Sequence, residues 1–170
     1  HWKLFTRLGN SGDSKSMKKG ENSRKDKFLR NFPQLTLGDA DSDIALRCKF
    51  NFSYFDNNQE CATDIAVWDE QNLRELFTKL KAFSAKPLQY WQQQCVGSGS
   101  HRQHMLEIYG AFPRKSGFSH PPHVPSDVDW ARFRLDGKKR LIGFTIPKSH
   151  CRQDSRLDDN TFYIVFLDLE

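Results

Sequence analysis

Hydrophobic positions recur at two different periods along the chain, one typical of helices and one typical of strands. Residues 69–83 read DEQNLRELFTKLKAF, in which five apolar residues fall at helical spacing: Leu73, Leu76, Phe77, Leu80 and Phe83. Asp69, at the start of this segment, precedes the first of these apolar residues and is predicted to cap the helix. Pro87 is a favourable start for a second helix in LQYWQQQ, so residues 69–94 predict a helix pair.

Strand periodicity dominates after a proline-rich loop at residues 113–127. Three runs, VDWARFRL, KKRLIGFTI and TFYIVFLDLE, predict antiparallel strands, and Asp136-Gly137 predicts the turn between the first two. The last run is almost continuously apolar, which predicts a central strand. Earlier in the chain, IALRCKFNFSYF alternates with period two and predicts a half-buried strand, whereas MLEIYGAF fits either a strand or a short helix.

These elements predict an α+β fold in which a helix pair packs on an antiparallel β-sheet meander. A chain of 170 residues has room for one core, so we expect residues 28–170 to form a single α+β domain. Residues 1–27 are rich in Gly, Ser and Lys, a composition that predicts a flexible basic arm. No run approaches the ~20 apolar residues that cross a bilayer, so we expect no membrane partner and a cytoplasmic location.

The charge of the chain is unevenly distributed. It has 26 basic and 21 acidic side chains, a net charge of +5, yet residues 1–30 and residues 114–156 each carry +6. The rest of the chain is acidic, so two basic segments are separated by an acidic one. This distribution predicts an anionic partner, with RNA or another nucleic acid as the first candidate.

Basic side chains near the C-terminus predict where a nucleic acid would bind. Arg132 and Arg134 alternate with apolar residues and share one strand face, which becomes a positive sheet face if the strand register holds. Phe162 and Tyr163 alternate on the last strand, so one of these rings could reach the same surface and stack on a base or contact a phosphate. The predicted nucleic-acid-binding residues are Arg132, Lys138, Lys139 and Arg140.

Two imidazoles and a guanidinium lie close together in the segment HRQH, after a glycine-rich break. Metal-free RNA cleavage needs a base for the 2′-OH proton, an acid for the leaving 5′ oxygen and a cation for the phosphate. These side chains can fill those roles, although they are equally compatible with an ordinary surface loop. The predicted catalytic residues are His101, Arg102, His104, Arg134 and Tyr163.

Cofactor motifs are missing from the sequence. It has no phosphate-binding glycine loop, no dinucleotide fingerprint and no zinc-protease motif. The four cysteines are widely spaced, so we expect reduced thiols rather than disulfides. No set of histidines and cysteines has a recognised ligand spacing, and we therefore assign neither a metal site nor a cofactor.

The layout of residues 69–170 resembles the RelE/HigB/ParE-like toxin superfamily. The likeness lies in a helix pair followed by the basic strands WARFRL, KRLIGFTI and FYIVFLD. It implies a small cytosolic protein that cleaves mRNA and is held by an acidic antitoxin. Arg132, Arg134 and Arg140 would be the basic sheet positions, and Tyr163 the C-terminal aromatic. The pattern is also similar to an uncharacterised group of small bacterial and mobile-element proteins.

We therefore expect an RNA-directed toxin or phage-defence protein, with metal-independent endoribonuclease as the enzyme class that fits these residues. Two alternatives remain open at the level of sequence. One is a non-catalytic nucleic-acid-binding module, and the other is a subunit of a bacterial defence or toxin–antitoxin complex.

Overall fold

The computed structural model describes residues 27–28, 30, 36–39 and 41–168. Apart from Lys27, the predicted basic arm lies outside the described residues. Contacts between residues divide the chain into a unit up to Ser42 and a second unit from Asp43 onward. In the first unit, a turn is closed by the hydroxyl of Thr36, which donates a hydrogen bond to Asp39 (2.9 Å). All helices and strands named below belong to the second unit.

The second unit is α+β. Its strands are β1 (Lys49–Asn51), β2 (Cys95–Val96), β3 (Gln103–His104), β4 (Leu106–Gly110), β5 (Asp129–Arg134), β6 (Arg140–Thr145) and β7 (Thr161–Asp168). Its helices are α1 (Glu70–Phe83), α2 (Leu88–Gln93) and α3 (Lys148–Gln153), with 3-10 turns at Ile65–Val67 and Gly99–His101. Among the described residues, no helix combines the length and the apolar character needed to cross a membrane.

Five strands form the main sheet in the order β1-β7-β6-β5-β4. The strands β4 to β7 are antiparallel neighbours in chain order, so the predicted meander is confirmed. The sheet as a whole is mixed, because β1 pairs in parallel with β7. The prediction that the last strand is central is also confirmed, since β7 lies between β1 and β6. The run MLEIYGAF supplies β4, which forms one edge of the sheet, while β1 forms the other.

Helix α1 forms as its periodicity predicts, and the side chain of Asp69 caps it by accepting a hydrogen bond from the backbone N–H of Asn72 (2.7 Å). Its buried residues are Leu76, Leu80 and Phe83. The prediction that Phe77 joins this apolar stripe is wrong, because 65% of its surface is exposed. Each helical residue is rotated about 100° from the one before, so Phe77 points away from the side that Leu76 buries.

The strand predicted from IALRCKFNFSYF is shorter than its alternation suggests. Residues 43–47 form a turn instead, in which the N–H of Leu46 donates to the carbonyl oxygen of Asp43 (2.9 Å). Leu46 is consequently 64% exposed, whereas Cys48 is buried. Only Lys49–Asn51 pairs with the sheet. Alternation alone does not show where pairing begins, because that depends on the partner strand.

Both faces of the main sheet are covered. Helices α1 and α2 pack on one face, over a core that includes Phe133, Leu141 and Phe162. On the other face, residues of the proline-rich loop pack against Trp130 and Phe166. The sequence predicted this segment as a loop, and the structure shows that it also forms a second layer over part of the sheet.

Candidate functional site

Three of the predicted basic residues lie on the sheet face opposite the helices. Ala131 and Phe133 of β5 belong to the core under the helices, so Arg132 and Arg134 project from the other face. The antiparallel register places Arg140 of β6 directly opposite Arg134. Like charges in a cross-strand pair destabilise a sheet, so this arrangement needs compensation from neighbouring groups.

Glu107 on β4 supplies part of that compensation. Its Oε2 accepts hydrogen bonds from Nε and Nη2 of Arg132 (3.1 and 2.8 Å) and lies 3.6 Å from Nη2 of Arg134. Asp168 pairs with Arg140 in the register of β6 and β7. Sequence reasoning missed both carboxylates, because only the strand register shows that they face the arginines.

Arg134 is the most deeply buried of the three arginines, with 8% of its side chain exposed. Its Nε donates a hydrogen bond to the carbonyl oxygen of His104 (3.1 Å). The pKa of Arg134 is lowered, first by burial and then by the charge of Arg132. The pKa of Arg140 is also lowered, first by burial and then by the charges of Arg134 and Arg132. The guanidinium groups thus disfavour one another's charge, and a bound anion would relieve that repulsion.

A groove of about 380 Å³, which we call the arginine groove, lies beside Arg132 and Arg140, between the sheet and residues 112–118. From the sheet it is lined by Tyr109, Arg132, Arg140 and Asp168, and from the loop by Phe112, Lys115 and Phe118. Burial raises the pKa of Tyr109 to about 12, so its phenol remains protonated at neutral pH. The groove therefore combines cations, one carboxylate, a protonated phenol and aromatic walls.

The aromatic walls of the groove are held in place by the hydrophobic cluster around Trp130 and Phe166, on the sheet face opposite the helices. Phe118 stacks on Phe166 with their ring centroids 4.5 Å apart, and Phe112 meets Trp130 edge-on at 4.7 Å. Both loop phenylalanines are only half-buried, so part of each ring is accessible. Aromatic surface of this kind, close to arginines, is suited to stacking on the base of a single-stranded nucleic acid.

The two predicted lysines of the β5–β6 turn lie apart from this groove. Lys138 is exposed in the turn, whereas Lys139 lies on the helix side. The Nζ of Lys139 donates to Asn72 (2.7 Å) and is 3.3 Å from Glu75, both on α1. Lys139 lines a separate cavity of about 190 Å³ at this position.

The catalytic residues predicted from the segment HRQH lie on a small ribbon formed by β2 and β3. His101 belongs to the 3-10 turn that joins these strands, Arg102 follows it, and His104 ends β3. All three are exposed, and none lines the groove. The structure brings Arg134 to the backbone of His104 and does not bring the two imidazoles into the groove.

Tyr163 is on the face that carries the arginines but at the other end of the sheet. Its ring stacks on Phe144 at 4.8 Å, and Phe144 lies four residues, or roughly 13 Å, from Arg140 along β6. Burial raises the pKa of Tyr163. Tyr163 lines a different cavity of about 310 Å³ together with His150 and Asp127, so the structure separates it from the predicted basic residues.

No protein-family model, curated protein or solved structure matches the chain. In the part of the chain that the structure describes, no group of three or more His, Cys, Asp or Glu side chains could hold a metal ion.

Proposed function

We propose that the protein is an RNA-directed endoribonuclease that binds RNA in the arginine groove and cleaves a phosphodiester with its own side chains. Glu107 is not among the residues that line the groove, but it contacts Arg132, which does line it. The observation that carries this proposal is the contact of Glu107 with Arg132 and Arg134 on the neighbouring strand, where Arg140 lies opposite Arg134 on the next strand. A carboxylate among guanidinium groups can serve as a base, while the guanidinium groups bind the phosphate that reacts.

The reaction would be an attack by the ribose 2′-OH on the adjacent phosphorus. Glu107 takes the 2′-OH proton, and the arginines stabilise the charge that develops on the phosphate oxygens. The bond to the 5′ oxygen breaks, and the protonated phenol of Tyr109, two residues along β4 from Glu107, would donate a proton to it. The products are a 2′,3′-cyclic phosphate and a free 5′-OH. The side chains supply the base, the acid and the charge stabilisation.

Two further observations support RNA as the substrate class. The half-buried rings of Phe112 and Phe118 offer a stacking surface beside the phosphate-binding groups. The order of elements, a helix pair followed by basic antiparallel strands, also resembles RelE/HigB-like toxins. The proposal therefore includes a toxin or defence role in cells, with an acidic protein as the inhibitory partner.

Replacing Glu107 tests the proposal directly. We expect Glu107→Gln to slow cleavage of a fluorescent single-stranded RNA by about 10²–10⁴-fold, the usual contribution of a general base, while RNA binding remains within a few fold. Reactions in EDTA should proceed at the wild-type rate. A DNA oligonucleotide of the same sequence should bind without being cleaved, because it lacks the 2′-OH. Expression of the wild type, but not of Glu107→Gln, should arrest growth.

The matched control is Glu70→Gln, which removes an exposed carboxylate on α1 that pairs with Arg74. This variant should cleave RNA at the wild-type rate. Equal activity of Glu107→Gln and the wild type would overturn the assignment of the base, and loss of activity in EDTA would indicate a metal-dependent nuclease instead.

One observation favours a second candidate, a non-catalytic RNA-binding module. Glu107 is already engaged by Nε and Nη2 of Arg132, so the pair can act as a rigid support for a bound strand. Salt-sensitive RNA binding that Arg140→Gln weakens, without turnover by the wild type, would select this alternative.

A further inference from the structure

The β2–β3 ribbon places a thiol directly opposite an imidazole. Cys95 and His104 are partners in the antiparallel register, so their side chains share one face of the ribbon. The Sγ of Cys95 lies 3.5 Å from Nδ1 of His104. Cys95 is half-buried and His104 is exposed, so reagents in solution can approach the pair.

The loop that joins the two strands keeps this pair together. Gly97 has a φ of +83°, and a Cβ at this position would come within 2.6 Å of the carbonyl oxygen of His101. The chain therefore turns back tightly at Gly97. Just beyond the ribbon, the N–H of Met105 donates to the carbonyl oxygen of Gln94 (2.8 Å) and extends the pairing. The thiol and the imidazole thus face each other across a closed ribbon.

We propose that Cys95 is a thiol–disulfide exchange site that takes small disulfides, with His104 as the base that accepts the thiol proton. The sulfur of Cys95 attacks one sulfur of the small disulfide, and a new S–S bond forms as the original one breaks. The departing sulfur leaves with the electron pair of the broken bond, and it takes up a proton from the imidazolium of His104 or from water. The result is a mixed disulfide on Cys95 and one released thiol.

The other three cysteines have environments that disfavour the same chemistry. Cys48 is 3% exposed, and burial raises its pKa to about 12. Burial, followed by the charges of Asp159 and Asp158, also raises the pKa of Cys151. Cys61 is exposed, and its Sγ faces the carbonyl oxygen of Gly117 at 3.4 Å, which does not take up the thiol proton. The Sγ of Cys95 also has a carbonyl oxygen at 4.0 Å, that of Gln93, but it has the imidazole of His104 in addition.

Labelling the full-length chain with 5,5′-dithiobis(2-nitrobenzoate) at pH 7 in EDTA tests this proposal, with peptide mapping to locate the modified residues. We expect Cys95 to react first, at least about tenfold faster than Cys61. His104→Gln should slow the reaction of Cys95 by about tenfold and leave the rate of Cys61 unchanged. Cys95→Ser should remove the fast phase.

The matched control is His101→Gln, which removes the neighbouring imidazole of the same ribbon and should leave the fast phase intact. Continued protection of Cys48 in each variant shows that the core remains closed. Faster labelling of Cys61 than of Cys95, or an unchanged Cys95 rate in a folded His104→Gln variant, would overturn the proposal. Neither Cys95 nor His104 lines the arginine groove, and Arg134 contacts the backbone carbonyl oxygen of His104, which His104→Gln retains, so labelling and RNA cleavage are tested separately.

Discussion

At the scale of single residues, Gly143 shows how closely two strands approach in the sheet. The register between β6 and β7 shifts at this point, so that Ile142 pairs with Phe166 while Gly143 pairs with Ile164. Val165 is the additional residue of a β-bulge. A Cβ on Gly143 would overlap the backbone carbonyl oxygen of Tyr163, which cannot rotate away as a side chain could. The bulge therefore requires a residue without a side chain.

We expect Gly143→Ala to lower the free energy of unfolding by about 1–3 kcal/mol, the typical cost of an overpacked core site. Urea denaturation followed by circular dichroism measures this change. Gly38→Ala is the control, because the nearest atom to its added Cβ would be 4.0 Å away. Equal midpoints for Gly143→Ala and the wild type would show that the two strands do not approach this closely.

At the scale of elements, two polar residues before β7 connect it to two segments that are distant in the sequence. Asn160 accepts a hydrogen bond from the N–H of Leu88 (2.9 Å) and donates one to the carbonyl oxygen of Leu46 (2.6 Å). The first bond matters because Pro87, the residue before α2, provides no side-chain cap for this helix. Asp158 binds β1 through Lys49, whose Nζ lies 2.6 Å from its Oδ2.

The Asp158 carboxylate makes this connection sensitive to acid. Burial raises its pKa, but hydrogen bonds from Lys49, Asn160 and Thr161 outweigh that effect and hold the pKa below its ordinary value of 3.8. A carboxyl group whose pKa is lowered by folding stabilises the native state above its unfolded pKa. That stabilisation is lost as the pH falls through the folded pKa.

We expect Asp158→Asn to reduce the dependence of stability on acid. The variant should be less stable than the wild type at pH 7, and the difference should shrink as the pH falls from about 4 toward 2. Urea denaturation at a series of pH values measures this convergence. Asp159→Asn, one residue further along and exposed, should follow the wild-type curve. Parallel curves for Asp158→Asn and the wild type would contradict the role of this carboxylate.

At the scale of the whole molecule, the net charge of +5 conceals two basic segments, and only one of them contributes to the groove. Residues 114–156 carry +6 and include Lys115, Arg132 and Arg140. Residues 1–30 also carry +6. If RNA binds in the arginine groove, the release of counterions should depend on the basic side chains of residues 114–156 and not on those of residues 1–30.

The salt dependence of RNA affinity distinguishes the two segments in the full-length chain. For single-stranded RNA, the slope of log affinity against log salt should become less steep by about 0.7 for each phosphate contact removed. We expect this change in Lys115→Gln and in Arg140→Gln. Lys18→Gln with Lys19→Gln, in the N-terminal segment, should leave the slope unchanged. The opposite result would place RNA binding outside the groove.

Local periodicity predicted most of the framework that carries the site. Patterns that span only a few neighbouring residues predicted three of its features. These are the capped helix α1, the hairpin at Asp136-Gly137 and the interior position of β7. The shared face of Arg132 and Arg134 follows from simple alternation. Lys139 could not be assigned in the same way, because a residue in a turn has no periodic face and its partners on α1 are distant in the sequence.

The sequence by itself determined which strand and helix faces are apolar, because a side chain's direction follows from its own backbone. Only the tertiary structure decided which polar groups meet. Glu107 and Arg132 are 25 residues apart, and Asn160 and Leu88 are 72 residues apart. Such pairs depend on strand register and on how loops return to the sheet, and no local pattern contains that information. The sequence therefore predicted which strand face carries the arginines, and long-range packing brought the other residues of the arginine groove to that face.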